Sequence, residues 1–243
     1  LKVLLLAGTA EARQLAQLLS DQGHDVLASL SGATRDPKPF PVATRTGGFG
    51  GEKAQEAFMQ QAAFDAVIDA THPFAEQIST RSFQISSRLG TSYLRLLRSE
   101  WSSEPGDNWQ VIAIPEDAAR HIPSGTRVLL ATGALSLDEW VDLAKDRTLF
   151  CRRVDPTDAP FPYEGSWIVG RPPFSVEDEV KMLRENRITH VVCKNAGGAA
   201  QAKLIAARQL GLPVVMLARP PVPDCQIADT VEGAVAWLNS LKS

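Results

Sequence analysis

The sequence predicts an α/β protein built on parallel sheets, and three observations carry that reading. Short apolar runs of strand length alternate with stretches of helical spacing almost from end to end. Turns of small residues join strand to helix, as in Ala7-Gly8-Thr9 and Asn195-Ala196-Gly197-Gly198. Runs such as Val3-Leu4-Leu5-Leu6 and Ala66-Val67-Ile68 are continuously apolar, the pattern of strands covered by helices on both faces.

The elements follow in order. Residues 2–6 read as a strand, and 10–22 as a helix with Ala12, Leu15, Ala16, Leu18 and Leu19 at helical spacing and Gly23 as its stop. A strand over 25–30 precedes a polar, Pro-rich loop to about residue 50, and a helix over 52–63 follows. Strand 66–70 leads into a helix from Phe74 to Leu89, closed by Gly90, and then strand 92–96. Residues 98–108 lose all periodicity and mark the expected boundary between a domain over 1–97 and a second over 109–228. In the second, strands over 109–114, 126–131, 148–154, 166–169, 190–194 and 213–217 alternate with helices over 115–121, 135–145, 175–186 and 199–210. A last helix, 230–241, is expected to pack back on the first domain, and Trp140 and Trp237 read as helix-face core.

Composition narrows the function. With 44% hydrophobic and 22% charged residues the chain is an ordinary globular one, and a formal net charge of −3 argues against nucleic-acid binding. No apolar run approaches a membrane span. The apolar start, Leu1–Leu6, is too short for a signal peptide, and Cys151, Cys193 and Cys225 lie far apart without C-x-x-C spacing, so a reducing cytoplasmic location is expected and a metal site is not.

Several constellations fall at strand ends, where open α/β sheets bind ligands. Ala7-Gly8-Thr9-Ala10-Glu11 enters a helix and suits either an anion site or a plain capped turn with Thr9 as N-cap. The second strand ends in Ser29, Ser31, Gly32 and Arg35 with no acid before Asp36, which suits a 2′-phosphate and so NADPH rather than NADH. Arg45-Thr46-Gly47-Gly48-Phe49-Gly50-Gly51 lets backbone approach a flat or anionic ligand closely. Asp69-Ala70-Thr71-His72-Pro73-Phe74 puts a hydroxyl and an imidazole at a strand end, and Asp69 reads as a buried hydrogen-bonding residue. His72 reads equally as a structural histidine and a functional one; as a proton donor it competes with water. Arg45, Arg98, Arg152, Lys194, Lys203 and Arg219, with Gly197, place cations near strand ends, as a polycarboxylate ligand needs, and each also reads as a solvated charge or cap.

Taken in order, Gly8-Thr9-x-Glu11-Ala12-Arg13, the Arg45–Gly51 and Asp69–Ala75 motifs, Arg95-x-x-Arg98-x-x-Trp101, Lys194-Asn195-x-Gly197-Gly198 with Lys203, and Arg219-Pro220 resemble the precorrin-6A reductase family of cobalamin biosynthesis. The resemblance runs over nearly the whole chain. It implies two Rossmann-like domains with a ligand cleft between them, and NADPH-dependent reduction of precorrin-6A to precorrin-6B, with hydride to C19 and a proton to C18 of the macrocycle. NADPH would lie on Gly8, Thr9, Glu11, Ser29, Ser31, Gly32, Arg35, Gly47, Gly48, Phe49, Gly50, Thr71, His72, Pro73 and Phe74, and the tetrapyrrole carboxylates on the cations above. Transfer of the product to neighbouring pathway enzymes belongs to the same picture. Ala7 departs from the family's frequent second glycine, and Gly170-Arg171-Pro172-Pro173-Phe174 from a shorter Gly-Pro-Phe. The cobalt-containing form of the same reaction and a non-catalytic tetrapyrrole carrier are the alternatives.

Overall fold

The computed structural model describes residues 1–32 and 39–241. In chain order the elements are β1 (Lys2–Leu6), α1 (Ala10–Asp21), β2 (Asp25–Leu30), β3 (Ala43–Thr46), α2 (Glu52–Ala62), β4 (Ala66–Asp69), α3 (Glu76–Leu89), β5 (Ser92–Leu96), β6 (Trp109–Ile112), α4 (Ala118–His121), β7 (Arg127–Ala131), α5 (Val141–Ala144), β8 (Thr148–Arg153), β9 (Gly165–Val169), α6 (Val176–Glu185), β10 (His190–Lys194), α7 (Ala202–Gln209), β11 (Val214–Leu217), β12 (Gln226–Ala228) and α8 (Val231–Ser240). They form two compact units, one of residues 1–99 with the segment from Pro220 onward, the other of Glu100–Arg219.

The first unit carries a parallel sheet in the order β12-β5-β4-β1-β2-β3. Strand alternation sends Val3 and Leu5 to one face, where they meet Leu15 and Leu19 of α1 and Ala234 and Leu238 of α8. It sends Leu4, Leu6 and Val67 to the other, against Met59 of α2 and Ile85 of α3. Each fully buried leucine contributes about 1.5–3 kcal/mol, so the doubly covered centre, β1 and β4, is the stable middle of the unit. The second unit carries a parallel sheet in the order β6-β11-β10-β7-β8-β9. There Leu129, Phe150, Val191 and Met216 pack with Leu183 of α6 and Leu204 of α7. Trp140 is fully buried, and Trp237 packs partly buried against the first unit's core.

The first sheet runs in the doubly wound order 3-2-1-4-5-6, counted within its unit, and the second has the same layout with its first strand at the far edge, 4-3-2-5-6-1, so the order reverses between β1 and β4 and between β7 and β10. The sixth place is taken by β12 in the first unit and by β6 in the second. Residues 220–228, expected in the second domain, therefore lie with the first unit, where β12 pairs with β5. β12 and β3 have no sequence signature because both are short edge strands, largely exposed, whose residues need no apolar run. The helix expected over 135–145 is instead a 3-10 stretch, Ala134–Trp140, followed by one turn of α5. Ser136 breaks it: its hydroxyl donates to the carbonyls of Thr132 and Gly133, and its own backbone is non-helical.

Gly165 opens β9 at φ 136°, and a Cβ there would sit 1.8 Å from the Leu149 carbonyl oxygen on β8. Gly165→Ala should cost at least about 2 kcal/mol and lower the thermal midpoint by about 4–8 °C. A midpoint within about 1 °C of the parent would show that β9 yields without cost.

Candidate functional site

In the first unit several of the candidate side chains gather where the strand order reverses. β1 ends at Leu6 because Ala7-Gly8 turns the chain and Thr9 caps α1, its Oγ1 accepting from the Ala12 N–H at 3.2 Å. The same hydroxyl donates to the Ala70 carbonyl at 2.8 Å and so ties the β1–α1 turn to the end of β4. Glu11, in the first turn of α1, pairs with Arg98 at 2.9 Å. Thr9, Glu11, Thr71, Pro73, Leu96, Leu97 and Arg98 line one shallow depression, so five residues singled out from the sequence meet there.

The end of β4 is held by a buried ion pair. Asp69 is fully buried and Arg95, one strand over on β5, is 2% exposed, and their side chains are in direct contact. The Tyr93 hydroxyl donates to Asp69 Oδ2 at 2.8 Å, and burial and the Asp69 charge push its phenol well above its ordinary pKa. Asp69 Oδ1 accepts from the Thr71 N–H at 3.0 Å and the Thr71 hydroxyl at 2.7 Å. Arg95 also donates to Thr71 Oγ1 at 2.8 Å and to the His72 carbonyl at 3.2 Å. Asp69 is thus the hydrogen-bonding residue its sequence position suggests, while Arg95, known from its motif, and Tyr93 are not paired with it by the sequence. The signal for them was a charged residue in an otherwise buried strand, Tyr93-Leu94-Arg95-Leu96. The His72 ring is exposed, and its Nδ1 accepts from the Phe74 N–H at 3.2 Å, which leaves Nε2 to carry the proton of the neutral ring.

The third cluster stands at the ends of β2 and β3. Ser29 and Arg45 are register partners, and Arg45 Nη1 donates to Ser29 Oγ at 2.7 Å and to the Gly47 carbonyl at 3.0 Å. Its Nη2 donates to the Gly48 carbonyl at 2.9 Å, and the guanidinium lies 4.0 Å from the Phe49 ring. Gly47, Gly50 and Gly51 hold φ of 106°, 80° and 105°, which L side chains resist. Gly48 lies outside that region, and nothing stands within 4 Å of where its Cβ would be. Ser31 and Gly32 follow β2 directly, and Arg35 lies outside the described residues.

In the second unit, the loop after β10 gathers Lys194, Gly197, Lys203 and Arg219. Asn195 is buried, accepts from the Trp101 N–H at 2.9 Å and donates to Glu100 at 3.2 Å. The Trp101 indole donates to the Gly198 carbonyl at 2.7 Å, and Lys203 Nζ lies 4.7 Å over its ring. Lys194 stands 3.8 Å from Glu139, and burial holds its ammonium below the ordinary lysine pKa, with Glu139 opposing. Arg219 is 7% exposed and donates to the Asn195 and Ala196 carbonyls at 2.8 and 3.1 Å. Arg152, next to last in β8, makes a two-pronged pair with the buried Glu179 and lies 4.3 Å from the Phe174 ring. The other expected ligand-facing cations also have protein partners: Arg98 pairs with Glu11, Lys194 stands near Glu139 and Lys203 donates to the Ala200 carbonyl. Arg45 and Arg219 are committed to loop carbonyls and Arg152 to a carboxylate, because a guanidinium in a partly buried place needs acceptors from the protein itself.

Burial pushes the Cys151 and Cys193 thiols up to about 11, so neither is a nucleophile at neutral pH. Among the described residues no cluster of three or more His, Cys, Asp or Glu side chains could hold a metal ion, and no helix is long and apolar enough to cross a membrane.

Comparison with known proteins agrees with this layout. A family model described as precorrin-6x reductase CbiJ/CobK matches residues 2–239. The chain is 42% identical over 245 residues to the precorrin-6A reductase of Rhodococcus erythropolis, covering 99% of this chain and 98% of that one. It is 27% identical over 259 residues to the cobalt-precorrin-6A reductase of Priestia megaterium, covering 99% and 100%. A solved structure described as CobK precorrin-6A reductase matches with a TM-score of 0.91 at 39% identity, covering 99% of this chain and 97% of that one.

The buried ion pair at the end of β4 is open to test. Asp69→Asn leaves the Arg95 guanidinium buried without its counter-charge and should cost about 3–5 kcal/mol in urea unfolding. A loss under about 1 kcal/mol would show that the Thr71 and Tyr93 contacts hold the strand end unaided.

Proposed function

The chain belongs to the precorrin-6x reductase family, and from that premise we propose that it reduces one ring double bond of precorrin-6A to give precorrin-6B with NADPH as hydride donor. Precorrin-6A reduction, an oxidoreductase step of cobalamin biosynthesis, comes with the family and with relatives matched over nearly their whole length. The choice of NADPH, the form of the substrate and the residue roles are the proposal. The metal-free substrate is favoured over the cobalt form by the higher identity to the precorrin-6A reductase, 42% against 27%. Three unpaired cysteines suit the reducing cytoplasm expected for such an enzyme.

One observation supports the cofactor reading above the others. Thr9 joins the N-terminal turn of α1 to the end of β4 at the reversal of strand order, where doubly wound sheets take a dinucleotide. The helix start there favours an anionic pyrophosphate. Ser29 at the end of β2, with no carboxylate before Asp36, supports NADPH over NADH. Gly47–Gly51 and Thr71–Phe74 would line the nicotinamide and the macrocycle. Lys194, Lys203 and Arg98, each of which would exchange a protein partner for the ligand, are candidates for the substrate's carboxylates.

When bound, the nicotinamide supplies the hydride. This chain's residues supply alignment and electrostatics. His72 fits a hydrogen-bond donor through Nε2 better than a proton source. Protonating Nδ1 would set it, donor to donor, against the Phe74 N–H it now accepts from. The proton for the macrocycle then comes from water.

Cofactor oxidation with precorrin-6A should show an NADPH preference of about tenfold or more in kcat/KM over NADH, the worth of one charge-assisted contact. Equal use of both, or faster turnover of the cobalt form, would overturn the respective part of the proposal, and NADPH binding without turnover of either would favour a carrier. His72→Ala should change KM and leave the pH profile intact. A fall in kcat of a hundredfold or more, with a limb of the pH profile lost, would make His72 the general acid.

A further inference from the structure

We propose that Arg45 is a positioning residue that braces the glycine loop 47–51, and that it contacts neither a substrate carboxylate nor a cofactor phosphate. The inference rests on the reading above that this loop lines the cofactor.

The loop needs such a brace. Three of its glycines sit at positive φ, a conformation that carries a large entropy loss on ordering. Its regular backbone ties are sparse: the Gly47 N–H donates to the Leu30 carbonyl at 2.9 Å, and Gly51 accepts from Gln55 at the start of α2. Between these ends, the Gly47 and Gly48 carbonyls both point at one guanidinium. That guanidinium is fixed from two further sides. The Ser29 hydroxyl accepts its third hydrogen bond, and Phe49 and Phe58 lie 4.0 and 5.5 Å away. The flat fork of five donors is what lets one side chain span two carbonyls and a hydroxyl while facing a ring. Lysine keeps the charge but cannot make that array. The second unit repeats the device, with Arg219 holding the Asn195 and Ala196 carbonyls beside Gly197 and Gly198.

The substitution Arg45→Lys separates the possibilities, because a point charge satisfies a carboxylate or a phosphate but not the brace. Three quantities are read on the full chain: NADPH and NADH affinity, substrate KM against salt, and the heteronuclear NOE of the Gly47 and Gly48 amides after selective 15N-glycine labelling. The brace predicts lower NOEs, about tenfold weaker binding of both cofactors alike, and an unchanged salt dependence of KM. Weakening confined to NADPH would make Arg45 a phosphate contact. An altered salt dependence of KM with intact cofactor binding would make it a substrate contact. Unchanged NOEs would mean that the loop holds its shape without Arg45. Each of these three overturns the proposal. Lower NOEs with both cofactors bound as before would instead support the brace and overturn the cofactor role of the loop.

Discussion

The Asp69–Arg95 ion pair is the interaction on which the site depends. Two charges with almost no solvent exposure are costly to bury, and hydrogen bonds from Thr71 and Tyr93 to the carboxylate help to offset that cost. Tyr93 and Thr71 take the remaining carboxylate lone pairs, and Arg95 reaches on to the His72 carbonyl. The result is a strand end whose last peptide groups have one arrangement. Thr9 then hooks the neighbouring β1–α1 turn to Ala70 of the same strand end. Two strand-end loops are thereby set against each other by the protein alone, the kind of preorganisation that the proposed hydride transfer needs.

A common economy runs through the arginines. In a doubly wound sheet the carboxyl edge is made of loops, and loops leave carbonyl groups without ladder partners. Arg45, Arg95 and Arg219 each place a guanidinium among such carbonyls. Positive charge at these edges is therefore partly spent on shaping the loops.

The fold was legible wherever burial on two faces demanded it. β1 and β4 are apolar over Val3–Leu6 and Ala66–Ile68 because helices cover both sides, and α1 shows its spacing because one stripe faces the core. The edge strands β3 and β12 were illegible because an exposed edge imposes no pattern on its residues. The candidate site divided in the same way. Thr9, Thr71 and the glycine loop were visible because small and hydroxyl residues at strand ends have few other uses. The partners of the arginines were not, because Ser29 with Arg45 and Asp69 with Arg95 meet across strands, through a register that one-dimensional spacing does not contain.

The central claim is that the cofactor binds at the carboxyl edge of the first unit's sheet. Adding NADPH to the selectively 15N-glycine-labelled protein tests it most directly, since glycines mark the strand-end turns of both units. Binding at this edge predicts amide shifts at Gly8, Gly32, Gly47, Gly48, Gly50 and Gly51. Shifts confined to Gly133, Gly197 and Gly198, with the first group unmoved, would contradict it.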